Sequence, residues 1–144
     1  MKSYFDSNLT RNVDKEILAE IVKLFVAKEK QSRFLEFLSS TKRYVDFQDE
    51  LLNDPRHFDP DCIIEIPGNE HTFEGILNRL KSMGAGNQAY LLSGNWDSDG
   101  TTGKLEELLL PVVGNGGDDL VYCVSSRLAF YEGHENWRYI LRRK

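Results

Sequence analysis

The chain has 144 residues, 40% of them hydrophobic, and a net charge of −5. That length and balance fit one globular domain and not a disordered chain, while no apolar stretch approaches the length of a membrane span. The charge is uneven: residues 1–60 carry a net −1, residues 61–120 a net −7 and residues 121–144 a net +3.

Three helices are predicted first. Val13, Ile17, Leu18, Ile21, Leu24 and Phe25 recur at helical spacing, with Asn12 placed to cap the start. A second helix is predicted from about Ser32, using Phe34, Phe37 and Leu38. A third carries Tyr44, Phe47 and Leu51 on one stripe. The segment NDPRHFDPD at 53–61 breaks helicity twice, because a residue before proline is pushed out of the helical region.

From residue 61 the pattern changes. Cys62–Ile66 reads as a strand, and Phe73, Ile76, Leu77, Leu80 and Met83 form an amphipathic helix closed by Gly84. A second strand spans 88–93, and a short helix runs from about Lys104 to Leu110 before Pro111. Three brief apolar runs follow at 120–125, 128–131 and 137–141, separated by polar turns as in an antiparallel meander. The strand–helix–strand portion implies one parallel crossover. The expected architecture is a single α+β domain over 1–144, helical in 1–55 and α/β in 61–144. Its N-terminal helices pack on a mixed sheet of about five strands that ends in the meander.

Chemistry is concentrated in AYLLSGNWDSDGTTGKLEELLL (89–110), read as strand, acidic loop and helix. Asn95, Asp97, Asp99, Gly100, Thr101 and Glu106 follow the alternating-oxygen spacing of a calcium loop, so Asn95, Asp97, Asp99, Thr101 and Glu106 are candidate ligands for Ca²⁺. Asn replaces the usual first Asp, and no second copy exists to make a pair. Asp97-Ser98-Asp99-Gly100-Thr101 also resembles the nucleophile motif of haloacid-dehalogenase-like phosphatases. Gly94, Asn95 and Trp96 separate it from the strand end at Ser93, however, and the meander supplies no further parallel strands. Gly103-Lys104 lacks the first glycine and the hydroxyl residue of a phosphate-binding loop.

His57, His71 and His134 fall in or beside turns without metal-ligand spacing. Glu70, His71 and His134 are the residues a small hydrolase would use, with Glu70 and Glu74 one helical turn apart. Cys62 and Cys123 lie in separate apolar runs, as reduced, buried thiols do. The start MKSYFDSNLTRNVDKE shows no apolar run after its lysine, so a cytoplasmic protein is expected. Tyr122, Phe130, Tyr131, Trp137 and Tyr139 are expected to pack on the helical layer.

The reading that these residues favour is a non-catalytic interaction protein, an immunity-type inhibitor or a regulatory subunit. Trp96, Asp97, Asp99, Asp118 and Asp119 are expected to meet a basic protein partner. The acidic middle of the chain disfavours nucleic acid. A solitary cation-binding loop at 95–106 is the second reading.

Overall fold

The computed structural model describes residues 13–144. Helix α1 spans Lys15–Phe25 and starts at Asp14, whose carboxylate accepts the Ile17 N–H at 3.1 Å. Asn12, expected as the cap, lies outside the described residues. Leu18, Ile21, Val22 and Phe25 form the buried stripe of α1. Helix α2, Lys28–Phe37, begins four residues before the expected Ser32, because its first turn is charged and shows no apolar period. Helix α3, Tyr44–Asn53, ends where Asp54 turns extended ahead of Pro55. The two Asp-Pro steps then each fold a short 3₁₀ turn. Asp54 accepts the Arg56 N–H at 2.9 Å, and Asp59 accepts the Asp61 N–H at 3.0 Å.

The strands are β1 (Ile63–Glu65), β2 (Gln88–Ser93), β3 (Thr102–Lys104), β4 (Asp119–Cys123), β5 (Leu128–Glu132) and β6 (Arg138–Arg142). Helices α4 (Phe73–Ser82) and α5 (Leu105–Leu109) follow β1 and β3. The sheet order is β1-β6-β5-β4-β2-β3 and every pairing is antiparallel. The fold is α+β, as expected, with N-terminal helices preceding the strands. The sheet is nevertheless six-stranded and unmixed. Alternating pairings leave β1 and β2 pointing the same way, but β6, β5 and β4 lie between them. The reason is burial. β1 is three residues long, half-exposed and ends in Glu65, so it suits an edge. β4 and β5 are buried along their whole length, and β2 from Ala89 to Ser93, so they take the centre. β3, absent from the sequence reading, is the return arm of a hairpin with β2.

Both faces of the sheet carry a core. Tyr90, Leu92, Leu120, Tyr122, Ala129, Tyr131 and Leu141 face α1, α2 and α3, with Trp137 and Tyr139 packed at the margin. Ala89, Leu91, Val121, Cys123, Leu128, Phe130 and Ile140 face α4 and α5. Double-sided burial explains why these strands read as continuous apolar runs without polar alternation. Both cysteines are free and buried. Among the described residues no helix is long and apolar enough to cross a membrane.

Tyrosine hydroxyls tie the first helical layer to the sheet. Tyr131 donates to the Leu52 carbonyl at 2.7 Å, and Tyr122 donates to Glu20. Tyr131→Phe keeps the packed ring and leaves that carbonyl without its donor. A loss of about 1–2 kcal/mol is expected in urea unfolding, with an unchanged denaturant slope.

Candidate functional site

The polar residues that interrupt the two cores gather at one end of the sheet. Ser93, Asp119, Glu132 and Arg138 are in register across β2, β4, β5 and β6. By strand alternation they share the face of Leu91, Val121, Phe130 and Ile140, and so close the end of the second core. Each must find partners without water. Glu132 is 0% exposed and receives N–H donors from Gly114 (3.2 Å), Gly116 (2.7 Å) and Arg138 Nε (2.9 Å). Gly114 and Gly116 both have positive φ, which lets two amides of one loop turn onto a single carboxylate. The sequence GNGG therefore encodes a cradle for an internal anion.

Ser93 is the hub of the next layer. Its N–H donates to Asp99 Oδ1 at 2.8 Å, its hydroxyl donates to Asp119, and its carbonyl accepts from Gln48 of α3. Asp99 also accepts the Tyr44 hydroxyl. The 94–101 loop is thus fixed to α3 from inside. Asn95 Oδ1 accepts the Asp97 N–H at 3.0 Å, and Gly100 and Thr101 rejoin Leu91 through bonds of 2.8 and 2.9 Å. The loop is a hairpin connection into β3, where a strand-to-helix loop had been expected.

This placement separates the candidate calcium ligands. Asp99 is turned inward, Asn95 caps its own turn, and the Thr101 hydroxyl donates to the Ser98 carbonyl. Asp97 is exposed, and Glu106 stands on α5 beyond β3. Among the described residues, no three or more His, Cys, Asp or Glu side chains gather as a cation site. The hydrolase candidates are also dispersed into structural contacts. Glu70 forms a two-point pair with Arg79 (2.7 and 2.8 Å), which holds its carboxyl below the usual range. His71 Nε2 lies 2.7 Å from the Ile66 carbonyl, the geometry of a donated hydrogen bond.

Of the five expected partner contacts, Trp96, Asp97 and Asp118 reach the surface. Asp99 and Asp119 are 5% and 4% exposed, so they act on a partner only through their field. Two further contributors lacked a sequence signal. Asp49 comes from the outer side of α3. His134 pairs with Asp118, its Nδ1 2.8 Å and its backbone N–H 2.9 Å from Asp118 Oδ1. Asp118 holds a left-handed backbone (φ 57°) to accept both. The carboxylate raises the His134 pKa above its ordinary value. Trp137 packs edge-on against the imidazole, with ring centres 5.2 Å apart.

Between α3 and these loops lies a groove of about 420 Å³, lined by Gln48, Asp49, Leu52, Asn53, Gly94, Gly117 and Asp118. The two loops that form one of its walls are joined where the Gly94 N–H donates to the Asp118 carbonyl at 3.1 Å. A side chain at Gly94 would press against the Gly117 carbonyl, 3.4 Å from its Cβ. No protein-family model, curated protein or solved structure matches the chain.

Burial, reinforced by the charges of Asp118, Glu132 and Asp99, pushes the Asp119 carboxyl up to about 6, against the lowering effect of the Ser93 bond. Because its folded-state pKa exceeds the unfolded value, folded Asp119 holds its proton more tightly than the unfolded chain does, so stability declines between about pH 4 and pH 6 and stays reduced above. Asp119→Asn keeps an oxygen for the Ser93 hydroxyl and removes the charge. The variant should be more stable than the parent at pH 7.5, by on the order of 1–3 kcal/mol, and should match it near pH 4. Chemical denaturation at the two pH values checks both arms.

Proposed function

We propose that this is a non-catalytic interaction protein whose sheet-end rim docks a basic segment of a protein partner, in the manner of an inhibitor or regulatory subunit. The observation that carries the reading is the groove. Asp49 and Asp118 line it, and none of the residues named along it is basic. Asp99 and Asp119 stand behind its walls as further acidic groups. Burial is the main reason that the Asp119 carboxyl is raised, and the charges of Asp118, Glu132 and Asp99 add to it. Acidic groups in a concave, partly apolar setting focus their field outward. The loops are also held before any partner arrives, by Asp99 to α3 and by Glu132 to the glycine cradle. Fixed loops lower the ordering cost of association, and complementary charge raises its rate.

A catalytic reading draws less support. His134 has an orienting carboxylate, yet the groups around it are Asp118, Glu135 and Trp137, none of them an activated nucleophile. A ten-residue lysine peptide provides a defined cationic probe. Asp49→Asn with Asp118→Asn should weaken its binding at low salt by roughly tenfold. Glu106→Gln with Glu107→Gln serves as the control. These acids lie on α5, which starts at the opposite end of the sheet, where Lys104 pairs with Gln88. Calorimetric titration showing equal loss in the two variants would reduce the effect to net charge and reject the rim.

A further inference from the structure

We infer that the rim is a pH-sensitive charge switch, which holds a basic partner near neutral pH and loosens it on mild acidification. The inference rests on the docking role proposed for this rim and concerns how that role is regulated. Its basis is the unequal way in which the structure compensates three buried acids. Glu132 has three N–H donors, one of them from the Arg138 guanidinium. Asp99 has the Ser93 amide and the Tyr44 hydroxyl. Among the described residues, Asp119 is hydrogen-bonded by the Ser93 hydroxyl. It lies between the other two, with Asp118 next in the chain. Arg138, the cation of the row, is bonded to Glu132 on the adjoining strand. The groups facing Asp119 are therefore Asp99 from the hairpin loop, Asp118 from its own loop and Glu132 with Arg138 from β5 and β6. Asp49 of α3 stands across the groove. Of the three acids, Asp119 is the one whose negative charge has the fewest hydrogen-bond donors.

Asp119 is placed where that proton matters. An added Cβ at Gly117 would meet Asp119 Oδ2 at 3.0 Å, so this oxygen lies directly beneath a groove residue. Protonation removes a negative charge from just behind the docking surface. A separate proton is taken by His134. With Nδ1–H given to Asp118, Nε2 is the ring position left to protonate, and it lies 3.9 Å from Glu135. Protonation there breaks no existing bond and adds a positive charge beside Asp118. Both events change the rim charge in the same direction. Each also makes the other slightly harder, since a new positive imidazolium favours ionised Asp119. The transition is consequently spread over a wider range than one simple titration.

The shifts of the two groups agree with this geometry, Asp119 being pushed up to about 6 and His134 upward from its ordinary value. The test combines carboxyl and imidazole NMR titrations with calorimetry of the ten-residue lysine peptide, N-terminally acetylated so that its own charge is constant across this range. At fixed ionic strength, affinity should fall roughly three- to tenfold from pH 7.5 to 5.5. Asp119→Asn with His134→Gln should flatten that dependence while remaining folded by circular dichroism. In the parent, Asp119 should titrate with a midpoint near 6. Strong binding that does not vary with pH, or an Asp119 midpoint near 4, overturns the switch and leaves the docking role standing. Absence of peptide binding at both pH values overturns the docking role, and the release with it.

Discussion

A sheet whose central strands are covered on both faces has no solvent in which to end. β4 and β5 are buried throughout, so the polar residues that close each run must be matched inside the protein. The in-register row of Ser93, Asp119, Glu132 and Arg138 is the consequence. Everything functional that can be read from this molecule is attached to that row. The hairpin loop hangs on Ser93 through Asp99, the glycine loop wraps Glu132, and α3 reaches the same point through Tyr44 and Gln48. Remove the double burial and none of these carboxylates would need internal donors, and the loops would lose their anchors.

The same arrangement divides acidic residues into two kinds. Carboxylates such as Glu132 and Asp99 spend their charge on backbone and hydroxyl donors, and serve as cross-braces. Carboxylates such as Asp49 and Asp97 face outward and set the potential of the rim. Composition counts both kinds alike, which is why the net −7 of residues 61–120 overstates the negative surface. Glu70 illustrates the point again, since it lies in the 3₁₀ turn before α4 and Arg79 of that helix neutralises it. What survives as a distinctive surface is smaller than the charge count suggests: one groove between α3 and two loops.

Much of the fold was legible because burial writes itself into periodicity. The stripe of α1, the bounds of β2 and the three closing strands follow directly from apolar spacing. The errors in the sheet share one cause, namely dependence on contacts remote in sequence. Nothing near Ile63 announces that it pairs with Leu141 rather than with β2, and β3 is a Thr-Gly-Lys run with no strand propensity of its own. The site was half legible for the same reason. Asp97, Asp99 and Asp118 were found as members of an acidic loop, but their separation into exposed and internal roles depends on Tyr44, Gln48 and His134. Those partners lie 55, 45 and 16 residues away from the groups they contact. Glu132 did leave a local trace: a charge at a core parity position ending the run LAFYE marks either an edge or a buried anion.

Asp119 is the place where these levels disagree. A buried carboxylate flanked by three other acids lowers stability at neutral pH, and an asparagine would satisfy Ser93 equally well. Local consistency among burial, hydrogen bonding and charge holds along the rest of the row, so the exception is informative. The ionised form strengthens the negative potential of the groove beside it, and the cradle and hairpin anchors keep the loops in place while that charge is present. In the proposed docking role, stability given up at Asp119 adds to the field at the groove, which links the energetics of the core to the proposed chemistry of the rim.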